Sequence, residues 1–194
     1  MVNNFKILND ILSFNDNDTF YFLQILKRRK DNPDLNKDVK LIKNIFLYKK
    51  EDLFDKEDYI IDICNINNAR AYLRLNSRSL EKIALQTIRK VSELLVNGDH
   101  RAVRDAYNSC CGSYSSDKNK KWIVDVDDVS MKQEVIDYIN ILHSKIDNGY
   151  RIIADVPTKN GCHIISNPFN LKDFSNKFKD VEVKKDNPTI LYTI

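Results

Sequence analysis

WIVDVDDVS (residues 122–130) carries an apolar run into Asp125, passes one valine, and then meets Asp127 and Asp128. Side chains alternate along an extended strand, so Trp122, Val124 and Val126 share one face and Ile123, Asp125 and Asp127 the other. The strand is expected to bury its first face under helices and to leave its carboxylates on the face that no helix covers. Directly after it, S-M-K-Q (130–133) reads as a capping box. The helix it opens places Met131, Val135, Tyr138, Ile139, Leu142 and Ile146 on one side. Asn148-Gly149 is its expected stop.

RIIADVP (151–157) reads as a second strand, Asn160-Gly161 as a hairpin turn, and CHIIS (162–166) as a third strand. A short helix, LKDFSNKF (171–178), and a fourth strand, VEVKK (181–185), follow; Asn187-Pro188 then turns the chain into a possible fifth strand, TILYTI (189–194). Strand–helix–strand–strand–helix–strand is the split βαβ pattern of ferredoxin-like and RRM-like folds. In that topology the spatial order is 4-1-3-2, with strands 1 and 3 adjacent and antiparallel. The order brings Asp125 and Asp127 beside His163, far away in the chain. By the same geometry Asp180 and Glu182 should lie near Asp127, and Asp186 at the opposite end of the sheet.

Upstream, TFYFLQILKRR (19–29) reads as an amphipathic helix closed by the cations of KRRK (27–30). YIIDIC (59–64) and RAYLRLN (70–76) read as strands. LEKIALQTIRKVSELLV (80–96) is the clearest helix, with Ser79 as its cap and Leu80, Ile83, Ala84, Ile88, Val91 and Leu95 on one face. Residues 97–121 begin with a short helical piece and end in a polar, Ser-rich loop. The reading is an α+β chain forming one domain over 1–194: a small N-terminal α/β module (1–120) and an RRM-like βαββαβ module (121–194).

Composition narrows the class. In 194 residues, 42% are hydrophobic and 30% charged, which suits a globular protein. A formal net charge of +3 excludes a strongly basic coat protein and leaves room for a local basic groove. MVNNFKILND has no basic start or long apolar run, and no stretch suits a membrane span, so no signal peptide and no membrane partner are expected. Cys64, Cys110, Cys111 and Cys162 form no CxxC pair, which fits reduced thiols in a cytoplasmic protein rather than a zinc site.

The chemistry is concentrated in three places. Asp125 and Asp127, at i and i+2 on a strand, have Cα atoms about 6.5–7 Å apart. Two such carboxylates repel each other unless a cation sits beside them, and hard oxygen ligands at an open site suit Mg²⁺ or Mn²⁺ held together with phosphates. TKNGCHII (158–165) sets Lys159, the turn at Gly161 and His163 beside those acids. NARAYLRLNSRS (68–79) clusters Arg70, Arg74 and Arg78, and guanidinium groups grip phosphates in bidentate fashion. His100 and His143 read as ordinary surface or core histidines.

WIVDVDD followed by GCHII, after an upstream YLRLNSRS, resembles the archaeo-eukaryotic primase superfamily, the primase-polymerases. The resemblance covers roughly residues 68–194. That family carries a strand ending in hDhD, a small-x-His strand and a further acid on an RRM-like catalytic module preceded by an α/β module. Asp125 and Asp127 match the first motif; Gly161-Cys162-His163 matches the second, with glycine in place of the commoner serine. For the third acid, Asp186, Asp180 and Glu182 all remain candidates, and Asp186 departs from the pattern because Lys185 precedes it. Neither the zinc-binding insert nor a helicase domain is recognisable, so the resemblance implies a minimal catalytic core, as in a phage or another mobile element, with a helicase or replication protein as a partner. It implies two-metal nucleotidyl transfer: Asp125 and Asp127 hold Mg²⁺ or Mn²⁺, His163 with Lys159 meets the triphosphate of a nucleoside triphosphate, and Arg74 and Arg78 hold phosphates of nucleotide, template or primer.

Two other readings compete. DVDDVS loosely resembles the DxDxT/V motif of HAD-type phosphatases, but that fold needs a long α/β continuation after the motif. A non-catalytic RRM-like nucleic-acid-binding module, a degenerate primase, is the stronger rival. It would need aromatic side chains on the free sheet face for base stacking, where Ile123, Asp125 and Asp127 stand instead.

Overall fold

The computed structural model describes residues 1–14, 16–146, 149 and 151–194. Asn148, half of the expected helix stop, lies outside the described residues. In chain order the elements are β1 (Val2–Asn3), α1 (Phe5–Ile11), β2 (Thr19–Arg28), β3 (Val39–Leu47), α2 (Asp52–Asp55), α3 (Glu57–Asn67), β4 (Arg70–Arg74), β5 (Arg78–Ser79), α4 (Leu80–Val96) and α5 (Ala106–Ser113). They continue with β6 (Trp122–Val126), α6 (Lys132–Ser144), β7 (Ile152–Pro157), β8 (Cys162–Ser166), α7 (Leu171–Lys177), β9 (Glu182–Lys184) and β10 (Pro188–Thr193). The chain is a mixed α+β structure with two antiparallel sheets.

One sheet has the order β1-β10-β4-β2-β3, with β5 paired to β2; the other has the order β7-β8-β6-β9. The last strand, β10, sits between β1 and β4. The first sheet is therefore completed by the end of the chain, and a boundary at 120/121 does not separate the two sheets.

Two upstream segments differ from the sequence reading. Residues 19–28 form a strand, not a helix. Phe20, Tyr21, Phe22, Leu23 and Ile25 are all buried, because β2 lies inside the sheet with apolar layers on both of its faces. Such a continuous apolar run has no period that separates strand from helix. Conversely, residues 59–64 lie within helix α3, which buries Ile60 and Cys64 one turn apart. The helix ends at Asn68, whose φ of 45° is left-handed.

The second sheet is covered on both faces. Val124, Val126, Cys162 and Ile164 pack against Val135, Ile139 and Leu142 of α6 and Phe174 of α7. The opposite face, expected to be free, is not: Ile123, Val156 and Ile165 join Leu23, Ile25, Leu73 and Leu191 of the first sheet and Phe5 and Leu8 of α1 in one core. Ile123 and Ile165 are direct cross-strand partners, and such an apolar pair drives burial. Only the carboxylate end of β6 escapes this cover.

Helix α4 is capped as read, with Ser79 Oγ accepting from Lys82 N at 3.1 Å. Its apolar stripe is mostly not core. Ile83 is buried against Phe20 and Phe22, whereas Ile88 and Leu95 are 65% and 50% exposed. The capping box at Ser130 does not form either. Asp128 is the cap: its Oδ1 accepts from Ser130 N at 2.9 Å and from Ser130 Oγ at 2.7 Å, while Gln133 donates to Asp137. An acid two residues earlier satisfies the free N–H groups more directly than a Ser–Gln exchange.

Candidate functional site

Strand β6 runs antiparallel between β8 and β9, with Asp125 opposite His163 on one side and Glu182 on the other. The hairpin before β8 closes tightly on the end of β6. A Cβ at Gly161 would stand 2.1 Å from the Val126 carbonyl oxygen and 2.9 Å from Asp127 Cα, so only glycine fits. This approach, with Thr158 N donating to Gly161 O at 2.9 Å, sets Lys159 and Asn160 at the carboxylate end.

A cleft of about 400 Å³ opens there between the two sheets. The second sheet contributes Asp125, Asp127, Lys159, His163 and Lys184; the first contributes Arg28, Lys30, Arg70 and Tyr72. A smaller cavity continues outward and shares Lys30, Arg70 and Lys159 with it. Arg70 is held rigidly, donating through Nε and Nη2 to Asp31 at 2.7 and 2.6 Å. Lys30 has its pKa lowered by burial and by the positive charges of Arg70 and Arg28. This wall is thus positive in potential even after Asp31 is counted.

Within the cleft one polar chain crosses four strands. His163, 9% exposed, meets Thr189 Oγ1 through Nδ1 at 2.7 Å and Asp125 Oδ1 through Nε2 at 3.3 Å. In a neutral ring Nε2–H donates to the carboxylate and the Thr189 hydroxyl donates to Nδ1. Lys184 Nζ donates to Asp125 Oδ2 at 2.5 Å and lies 3.2 Å from Glu182 Oε2. The hydrogen bond from His163, reinforced by that from Lys184, holds the Asp125 carboxyl far below the usual carboxylate range despite its partial burial. Asp127, one step past the strand, is exposed at the mouth. Among the described residues, no group of three or more His, Cys, Asp or Glu side chains is gathered to hold a metal ion.

The structure brings together Asp125, Asp127, Lys159, Gly161 and His163, and it places Arg74 and Arg78 elsewhere. Arg78 is fully buried and donates to Cys111 O at 2.8 Å, to Asn76 O, and to both Asp186 oxygens. Arg74 donates to the Asp186 carbonyl. Neither lines the cleft: Arg74 ends β4 and Arg78 opens β5, on either side of Asn76 at the other end of the sandwich. Asp186 is tied to Arg78 and does not line the cleft; Asp180 is exposed in the loop before β9; Glu182 is the one of the three in register with Asp125. His163 lines the cleft, with its ring nitrogens meeting Thr189 and Asp125. Arg28, Lys30, Lys184 and Thr189 are among the residues the sequence reading missed. Alternation in VEVKK would have put Lys184 on the face of Glu182, and the KRRK run already contained Arg28.

Cys64, Cys110, Cys111 and Cys162 are buried free thiols. Among the described residues, no helix is long and apolar enough to cross a membrane. No family model matches the chain, and no curated protein or solved structure shows significant similarity to it.

Proposed function

We propose that the cleft is a nucleotidyl-transfer site of primase-polymerase type, built on an RRM-like module and acting on a nucleic acid primer-template with nucleoside triphosphates. The observation that carries this reading is the opposition of charges: Asp125 and Asp127, with Lys159 beside them, line one cleft together with Arg28, Lys30 and Arg70 of the other sheet. Two carboxylates alone repel a phosphate, and cations alone need no carboxylates. A polyphosphate bound together with a divalent cation requires both.

The donor set suits that cation. Asp125 and Asp127 offer hard oxygens, Glu182 stands across from Asp125, and the Lys184 ammonium already occupies a cation's position between Asp125 and Glu182. The remaining ligands would come from the substrate's phosphates, as is usual for Mg²⁺. Bound there, Mg²⁺ or Mn²⁺ would lower the pKa of a primer 3′-hydroxyl and neutralise charge on the triphosphate. The oxygen of that hydroxyl would attack the α-phosphorus as its proton passes to solvent water; a new P–O bond would form, and pyrophosphate would leave as the bond from the α-phosphorus to the bridging α–β oxygen breaks. Lys159 and Lys30 bind the polyphosphate. His163, locked by Thr189, orients Asp125. Arg70, fixed by Asp31, and the outer cavity it shares with Lys30 and Lys159 bind template or primer backbone.

One observation favours the rival, a nucleic-acid-binding module without catalysis: Lys184 neutralises Asp125 without any metal. Primer extension separates the two. A labelled primer-template with nucleoside triphosphates and Mn²⁺ or Mg²⁺ is expected to yield longer products, and Asp125→Ala or Asp127→Ala to abolish them. If no product forms with either metal, while nucleic acid binds equally well to both variants, the binding module replaces the polymerase.

A further inference from the structure

Lys184 is an unexpected neighbour for a carboxylate meant to hold a metal. Strand β9 is the edge strand of its sheet, in register with β6 over Ile123–Asp125. Glu182 and Lys184 are two residues apart and share the strand face of Asp125, so Lys184 reaches diagonally to Asp125 while also touching Glu182. Its side chain is 20% exposed and lines the cleft that also holds Lys159. A lysine is a point charge on a flexible four-carbon stem, able to exchange one anionic partner for another without moving the backbone.

We infer that Lys184 is a built-in counter-ion that competes with the divalent cation for Asp125 and Glu182, and that phosphates entering the cleft draw it away. The inference rests on the nucleotidyl-transfer reading. Without substrate, the ammonium neutralises Asp125 and keeps β6 and β9 from repelling each other. A divalent cation arriving alone must expel it into the cleft with no new partner, which weakens binding. A cation arriving on a triphosphate brings the oxygens that receive the ammonium. Metal and nucleotide thus bind as a pair, and the site does not hold metal idly. The same contact explains how two carboxylates persist on one sheet face: removing the ammonium leaves Asp125 and Glu182 adjacent with no positive charge between them.

The test measures Mn²⁺ binding itself, by electron paramagnetic resonance, for the full chain and for Lys184→Met, with Lys184→Gln as a second variant. For Mn²⁺ alone, both variants are expected to bind on the order of tenfold tighter than wild type, since a competing charge at contact has gone. For Mn²⁺ complexed with a non-hydrolysable triphosphate, they are expected to bind no tighter than wild type, because a phosphate partner has been lost. A structural role alone would not produce this difference. Variants that gain nothing toward Mn²⁺ alone, while both they and wild type bind the complex, overturn the role of Lys184 and leave the nucleotidyl-transfer reading standing. If no protein binds the complex, both fall.

Discussion

At the start of β6, Asn76, Arg78 and Asp186 form a closed cluster; at its end, Asp125, His163 and Lys184 form one that faces a cleft. Both join acids to bases between the two sheets. In the first, Asn76 Nδ2 donates to Lys121 O and Asp186 Oδ1 at 3.0 and 3.1 Å, its Oδ1 accepts from Lys121 N at 2.7 Å, and Arg78 is buried beneath. The guanidinium spends its donors within the protein, and nothing further can bind. In the second, Asp125 is equally well partnered, yet its partners line a cavity with more cations than acids and with Asp127 at the mouth. Residue type does not distinguish a clasp from a site. Saturation and access do.

The largest effect should come from breaking the clasp. Arg78→Ala leaves Asp186 without its main partner and empties a buried space. It is expected to cost about 3–5 kcal/mol, the usual consequence of breaking a buried pair, read as a fall in the urea midpoint. Pairing Arg78→Met with Asp186→Leu removes both charges and should recover most of that loss. A loss below about 1 kcal/mol, the range of surface pairs, would mean that the clasp does not hold the sheets together.

A smaller effect, with a pH signature, belongs to the other end. The Asp125 carboxyl is depressed in the folded chain, so its ionised form is favoured by folding. That contribution is fully present above the unfolded pKa, about 3.9 for Asp, and is lost as pH falls from there toward the folded value. Wild type should therefore exceed Asp125→Asn in stability at neutral pH, and the gap should narrow steadily below about pH 4. A gap that stays constant from neutral pH to about pH 2.5 would show that the carboxylate's charge plays no part in that network.

The contrast also shows what the sequence could tell. Trp122–Asp127 alternates, Asn160-Gly161 marks a tight turn, and together with the expected strand order they placed Asp125 beside His163, although Ile123, expected on a free face, is buried. β2 has no such alternation: with Phe20 and Phe22 buried on one side and Leu23 and Ile25 on the other, it has no polar face. Arg70 and Arg78 look alike in NARAYLRLNSRS, but the turn at Asn76 sends one to the cleft and the other to the clasp, and no local pattern encodes that choice. Lys184 was hidden for a related reason. A lysine on an edge strand usually points to water; alternation puts it on the face of Glu182, but its reach to Asp125 follows from the register with β6.

Nucleotide binding is proposed at the cleft end and not at the clasp end. It is tested most directly by the affinity of the full chain for a Mn²⁺–triphosphate complex, compared among three proteins. Lys30→Ala combined with Lys159→Ala should weaken binding at least about tenfold, equivalent to about 1.4 kcal/mol. Arg74→Met, which keeps the buried aliphatic stem and removes the charge, should bind as wild type does. Affinity lost on changing Arg74 but kept without Lys30 and Lys159 would contradict the account and move the nucleotide to the opposite end of the sandwich.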